Sequence, residues 1–218
     1  LNAADRRVAR LATTLQRRLE ASYRLPPGPD VARHLTHDAG LRTRLLGPDA
    51  APVAEELLLL EEDGALYLAL YLECSARDAL AEYDPSRGLD AANLQAFLHL
   101  VEGVSHFRYV VDRAASQRCL SLLELELQAE IDKYVLLVQW LQALRHRPAH
   151  ARIRSLLYEH NCFLHAPGTE AGERYRLAAR YAGRWSARLG RQLPGWRESQ
   201  RLWRLPLAAK LYHIGHFG

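Results

Sequence analysis

His99, Glu102 and His106 recur at i, i+3 and i+7. On a helix, that spacing projects three metal-binding or proton-carrying side chains side by side. Glu126 and Glu130 are four apart in the following segment and would also share a face. Like charges at that spacing repel unless a cation, a proton or a guanidinium sits between them. Carboxylates and imidazoles from adjacent helices are how helical bundles hold iron, manganese or zinc. The pattern therefore predicts a divalent-metal site from His99, Glu102, His106, Glu126 and Glu130. Without a metal, it predicts an acid/base pocket in which Glu102, Glu130 and His106 are the catalytic groups. The spacing departs from the Glu-x-x-His of di-iron bundles, since His99-x-x-Glu102 runs in reverse. The plainer alternative is that the carboxylates pair with Arg or Lys and the histidines are ordinary hydrogen-bonded ones.

A second constellation is cationic. Arg176, Arg180, Arg184 and Arg188 recur every four residues, with Tyr181 and Trp185 interleaved. Arginine makes bidentate phosphate contacts and aromatic rings stack on bases. These six residues are the expected anion-binding set, for nucleic acid, a nucleotide or an acidic protein. Overall charge supports the idea. Residues 145–218 carry 14 Lys and Arg against 4 Asp and Glu, a net +10, whereas residues 1–144 carry 15 against 21, a net −6. Such a split serves either a polyanionic partner or internal pairing of the Arg stripe with Glu124, Glu126, Glu130 and Asp132.

Three further patterns carry less information. His160, Cys162 and His165, with His146 and His150 nearby, are zinc-compatible ligands, but their spacing fits no established zinc pattern. Arg145 and His150, four residues apart in between, resemble the Arg-x4–6-His signature of HEPN ribonucleases, which would imply RNA cleavage. Pro148 interrupts the helix that signature normally occupies. His37-Asp38 resembles the dyad of HD phosphohydrolases but lacks suitably spaced partners. No P-loop, Gly-rich dinucleotide turn, Gly-x-Ser-x-Gly elbow or HExxH is present.

The elements that must position these residues are mostly helical. Val8, Leu11, Ala12, Leu15 and Leu19 form one stripe and predict a helix over 3–22, with Asn2 as N-cap and Asp5 at N3. Asp30 predicts a cap for a short helix, and Ala39 to Leu46 another, ended by Gly47. Residues 56–73 are the one β signal, two leucine-rich strands around the hairpin turn Asp63-Gly64. No third strand is expected, so the open hairpin edge predicts a homodimer. Ser75 with Asp78 predicts a capping box for the next helix. The two central helices are predicted over 91–114 and 122–146, the second capped by Ser121 with Glu124. The first has an apolar face (Leu94, Phe97, Leu100, Val101, Val104, Phe107, Val111) and an outward polar face (Gln95, His99, Glu102, His106, Tyr109, Arg113). Gly103 would admit a neighbouring helix. The second is apolar on two sides, as in helices buried between layers, with polar lanes Glu124/Gln128/Asp132 and Glu126/Glu130/Lys133. A basic helix over 170–190 and two short ones follow.

The expected fold is mainly α: a compact helical bundle with one hairpin packed on it, in a single domain over 1–218. Three widely spaced cysteines suggest reduced thiols in a cytoplasmic protein. No apolar run long enough to cross a membrane is expected, and Leu1 to Leu11 lacks a signal-peptide core. The strings Glu102-Gly-Val-Ser-His-Phe107 and Leu123-Glu-Leu-Glu-Leu-Gln-Ala-Glu-Ile-Asp-Lys133 resemble a family of uncharacterised bacterial proteins, a likeness that implies one structural unit and no particular activity. The functional expectation is an intracellular regulatory or binding protein that engages an anionic partner. The alternatives are a carboxylate–histidine enzyme on the central helices and a HEPN-like ribonuclease.

Overall fold

The computed structural model describes residues 2–159, 166, 168–189 and 196–216. In chain order the elements are α1 (Ala3–Tyr23), β1 (Leu35–Thr36), α2 (Ala39–Leu46), β2 (Glu55–Glu62), β3 (Ala65–Leu72), α3 (Cys74–Glu82), α4 (Leu94–Ala115), α5 (Leu122–Ala143), α6 (His150–Arg154), α7 (Glu170–Leu189), α8 (Trp196–Arg204) and α9 (Leu207–His216). The protein is mainly α with a small three-stranded sheet. Among the described residues, no helix is long and apolar enough to cross a membrane. Residues Leu1–Arg17 and Gly28–Arg108 form one compact unit. Arg18–Pro27 and Tyr109–Gly218 form a second.

In the first unit, α1 starts with the expected reciprocal cap. Asn2 Oδ1 accepts from the Asp5 amide at 2.8 Å, and Asp5 Oδ2 accepts from the Asn2 amide at 3.1 Å. Asp30 caps a 3-10 turn over Val31–Arg33 through the Ala32 amide, and Asp38 caps α2 through the Leu41 amide. The sheet order is β1-β3-β2, with β2 and β3 antiparallel and Leu58 opposite Ala69. Asp63 and Gly64 both have positive φ, 51° and 74°, as a two-residue hairpin turn requires.

The expectation of only two strands fails at β1. Leu35 and Thr36 pair in parallel with Leu70 and Tyr71, and the Leu70 amide donates to the His34 carbonyl at 2.8 Å. Two residues are too short to display an alternating pattern, so the sequence offers no strand signal there. Ser75 is not a cap either. The α3 N-cap is Glu73, which makes no side-chain cap bond, and the Ser75 hydroxyl donates to Glu73 Oε2 at 3.0 Å.

Gly103 of α4 faces the sheet, not another helix. A Cβ there would lie 2.8 Å from Glu55 Oε2 and 3.2 Å from Leu70 Cδ2. Leu70 and Leu72 are fully buried, but the leucine face is uncovered towards the turn, where Leu59 and Leu66 are exposed.

In the second unit α5 is the hub. Every residue from Glu124 to Val138 is buried, polar ones included, as its two apolar sides predict. Ser121 accepts from the Glu124 amide at 3.2 Å and caps it. The α7 helix lies along α5 through Ala178, Ala179, Ala182 and Ser186, whose small side chains allow close approach. Gly183 packs on the Tyr158 ring, 3.4 Å from where its Cβ would be. At the C-terminal end of α1, Arg18 lies over the Trp140 ring at 4.5 Å and donates to the Gln139 carbonyl. Burial lowers the pKa of its guanidinium.

Candidate functional site

The carboxylate–histidine residues divide between the units. His99, Glu102 and His106 belong to the first; Glu126 and Glu130 belong to the second. His99 pairs with Gln95 through Nε2 at 3.1 Å. His106 is buried, and its Nδ1 is 3.6 Å from Glu55 Oε1, a carboxylate on β2 that the helical spacing did not select. His106 thus does not face outward. Tyr109 and Arg113, expected on the same outward face, are buried too. In the second unit Glu126 and Glu130 are both buried, and Lys133 Nζ lies 2.6 Å from Glu130 Oε1, one turn along the same helix. The plainer pairing with lysine therefore holds for Glu130.

The other carboxylate lane of α5 builds a connected polar core inside the second unit. Tyr109 donates to Glu124 Oε1 at 2.6 Å and accepts from Arg113 Nη2 and, at 2.7 Å, from Lys210 Nζ. Lys210 also donates to Gln128 Oε1 at 2.6 Å. Gln128 donates to Asp132 Oδ1 at 2.9 Å and to the Tyr23 hydroxyl at 3.3 Å, and Tyr23 donates to Asp132. Arg113 donates to the Trp203 carbonyl at 2.6 Å, and Trp203 Nε1 to Asp112 Oδ2 at 3.1 Å. The Trp203 indole stacks on Tyr23 and meets Tyr109 edge-on, with centroids 4.5 and 4.7 Å away.

Electrostatics of this core follow from its burial. Tyr23, Tyr109, Gln128, Asp132 and Lys210 are all fully buried. Desolvation pushes the Lys210 amine down to about 7, despite the opposing attraction of Glu124 and Asp132. Burial, with Asp132 alongside, drives the Tyr23 phenol well up, and burial with Glu124 alongside does the same for Tyr109. Lys210 was not among the site residues expected from the sequence. The available signal was its position: Leu207, Lys210, Leu211 and Ile214 follow i, i+3, i+4, i+7, which puts a lysine in an apolar stripe.

The anion-binding set separates into surface and core. Arg180 and Arg184 are exposed, with guanidinium carbons 5.7 and 5.8 Å from the Tyr181 ring centroid. Neither has a carboxylate within ion-pair distance among the described residues. Arg176 reaches Glu173 Oε1 at 3.4 Å, and Arg188 donates to the Ile214 carbonyl at 2.5 Å, tying α7 to α9. Trp185 is a core residue, 4% exposed and edge-on to Tyr134. Its position on the α5 side of α7 follows from lying three and seven residues beyond the buried Ala182 and Ala178. On α8, Arg197, Arg201 and Arg204 are exposed at i, i+4 and i+7.

Of the remaining patterns, His160, Cys162 and His165 lie outside the described residues. His150 Nδ1 is 2.8 Å from the Tyr134 hydroxyl. Arg145 lies beyond the end of α5 with φ 61°, not in the helical setting of the ribonuclease signature. No protein-family model, curated protein or solved structure matches the chain.

Proposed function

We propose that this protein is a binding module that engages single-stranded nucleic acid through the Arg180–Tyr181–Arg184 edge of α7. The supporting observation is the pair of exposed guanidinium groups flanking one tyrosine ring, neither ion-paired among the described residues. Guanidinium groups suit phosphates, and an aromatic ring between them suits a base, so the combination favours a nucleic acid over a simple acidic surface. The net +10 of residues 145–218 adds a long-range attraction for a polyanion. The opposite face of α7 is held against α5 by small side chains, which presents the arginines from a rigid element.

The test is fluorescence anisotropy with a labelled single-stranded oligonucleotide over a salt series. Binding should weaken linearly in log–log form with salt, and the double variant Arg180→Glu, Arg184→Glu should abolish it. Absence of binding at low salt, or equal binding by the variant, would refute the assignment. Equal competition by a polyglutamate peptide would move the assignment to an acidic protein.

A further inference from the structure

The hairpin of the first unit presents a different kind of surface. Strand β2 is at the end of the sheet order, and among the described residues no strand pairs with its outer edge. Its first half is anchored: Glu56 pairs with Arg42 at 2.7 Å, and Leu58 is buried. Its second half, Leu59 to Glu62, is exposed, as are Asp63 and the opposite positions Ala65, Leu66 and Tyr67. Leu59 and Leu66 lie on one face of the hairpin, Leu60 and Tyr67 on the other. Their exposures of 51, 43, 43 and 56% make a tip that is apolar on both faces. An open edge carries a row of backbone donors and acceptors ready for another strand.

The sequence of β2, Glu-Glu-Leu-Leu-Leu-Leu-Glu-Glu, decides what strand that is. Antiparallel pairing with β2 of a second copy would set Glu55 against Glu62 and Glu56 against Glu61, each twice. Like charges directly opposite one another are destabilising. Sliding by one residue still sets Glu56 against Glu62, and sliding by two sets Glu61 against Leu58 and Glu62 against Leu57, which separates the glutamates but faces carboxylates with leucines. A strand with cationic side chains at those positions and apolar ones opposite the leucines meets neither difficulty. We propose that the β2 edge from Leu57 to Glu62 docks an extended segment of another protein in which a run of apolar residues is flanked by Lys or Arg. The backbone ladder supplies affinity, and Glu61, Glu62 and Asp63 select for positive charge. This site is independent of the arginines of α7.

The probe is a fluorescein-labelled ten-residue peptide of four central valines flanked on each side by three lysines, measured by anisotropy against the full chain. Saturable binding is expected, with new amide-exchange protection at Leu59 to Glu62. The same peptide N-methylated at every second residue keeps its charge but loses one ladder edge, and should bind at least about tenfold more weakly. The variant Glu61→Lys, Glu62→Lys should weaken binding by a similar factor of about ten, with an unchanged circular dichroism spectrum because both residues are exposed. Equal binding of the N-methylated peptide, equal binding by the charge-reversed variant, or no binding of the parent peptide would overturn the proposal. So would a dimer in sedimentation that Glu61→Lys, Glu62→Lys alters and the peptide leaves intact, because it would give the edge to a second copy.

Discussion

Lys210 donates to Gln128 Oε1 at 2.6 Å across 82 positions of sequence, in a core of fully buried side chains. A primary amine is thus held by a carboxamide and a phenol, with the nearest negative charges, on Glu124 and Asp132, one hydrogen bond further away. The amine is desolvated more than it is compensated, so its pKa falls to about 7 from 10.5.

Stability should therefore depend on pH in a defined sense. Between about 7 and 10 the unfolded chain keeps a proton on Lys210 that the folded chain has given up, so stability rises with pH. The slope contributed by one group is at most about 1.4 kcal/mol per pH unit. Above about 10 the raised phenols of Tyr23 and Tyr109 oppose the trend, because they ionise only in the unfolded chain. Urea midpoints measured from pH 6 to 9.5 should rise in the wild type and stay flatter in Lys210→Met. Equal slopes in the two proteins would contradict the shifted amine.

Tyr23→Phe tests the other end of the same core. The hydroxyl donates to the buried Asp132 carboxylate and accepts from Gln128. Its removal takes a donor from a desolvated charge, and a loss of about 1–3 kcal/mol is expected. Tyr67→Phe, at an exposed position of β3, should change stability by less than about 0.5 kcal/mol. Chemical denaturation of the two variants side by side distinguishes the sites.

Gly103→Ala pits helix propensity against packing. Alanine favours a helix interior by about 1 kcal/mol over glycine. The added methyl group would press into Leu70 and Glu55, and overpacking of this kind costs about 1–3 kcal/mol. A net loss of stability is expected, and the double variant Gly103→Ala, Leu70→Ala should lose less than the sum of the two single losses. A stabilised single variant would show that the sheet gives way easily.

Arg180→Ala with Arg184→Ala should leave the denaturation midpoint within about 0.5 kcal/mol of wild type, since both side chains are exposed and neither is ion-paired among the described residues. The same variant should lower the salt slope of oligonucleotide binding by about two phosphate contacts. Loss of stability instead would assign the pair to folding.

What the sequence disclosed depended on the range of the forces involved. Local rules read well: the Asn2–Asp5 box, the Asp30 and Ser121 caps, the Asp63-Gly64 turn and the two-sided burial of α5 all follow from residues within one or two turns. Non-local choices did not. Nothing near Leu35 announces that Leu70 will pair with it. The outward polar face expected for α4 is buried from His106 onward, because a periodic pattern shows which residues share a face and not what covers it. The Glu124/Gln128/Asp132 lane was visible, while its partners Tyr23 and Lys210 lie too far along the chain for spacing to reveal. In α7 the four-residue Arg period was plain, but only packing separates the surface ring of Tyr181 from the core indole of Trp185.

The polar core also sets a timetable for synthesis. Its members are residue 23, residues 109 to 132, and residues 203 and 210. A ribosome delivers Tyr23 early and Lys210 late, so the carboxylates of Glu124 and Asp132 emerge well before the amine that joins them. The first unit, whose residues end at Arg108, has no such wait. A nascent chain paused before residue 203 would hold one unit with all its residues made and another with the carboxylates of Glu124 and Asp132 still waiting for Lys210.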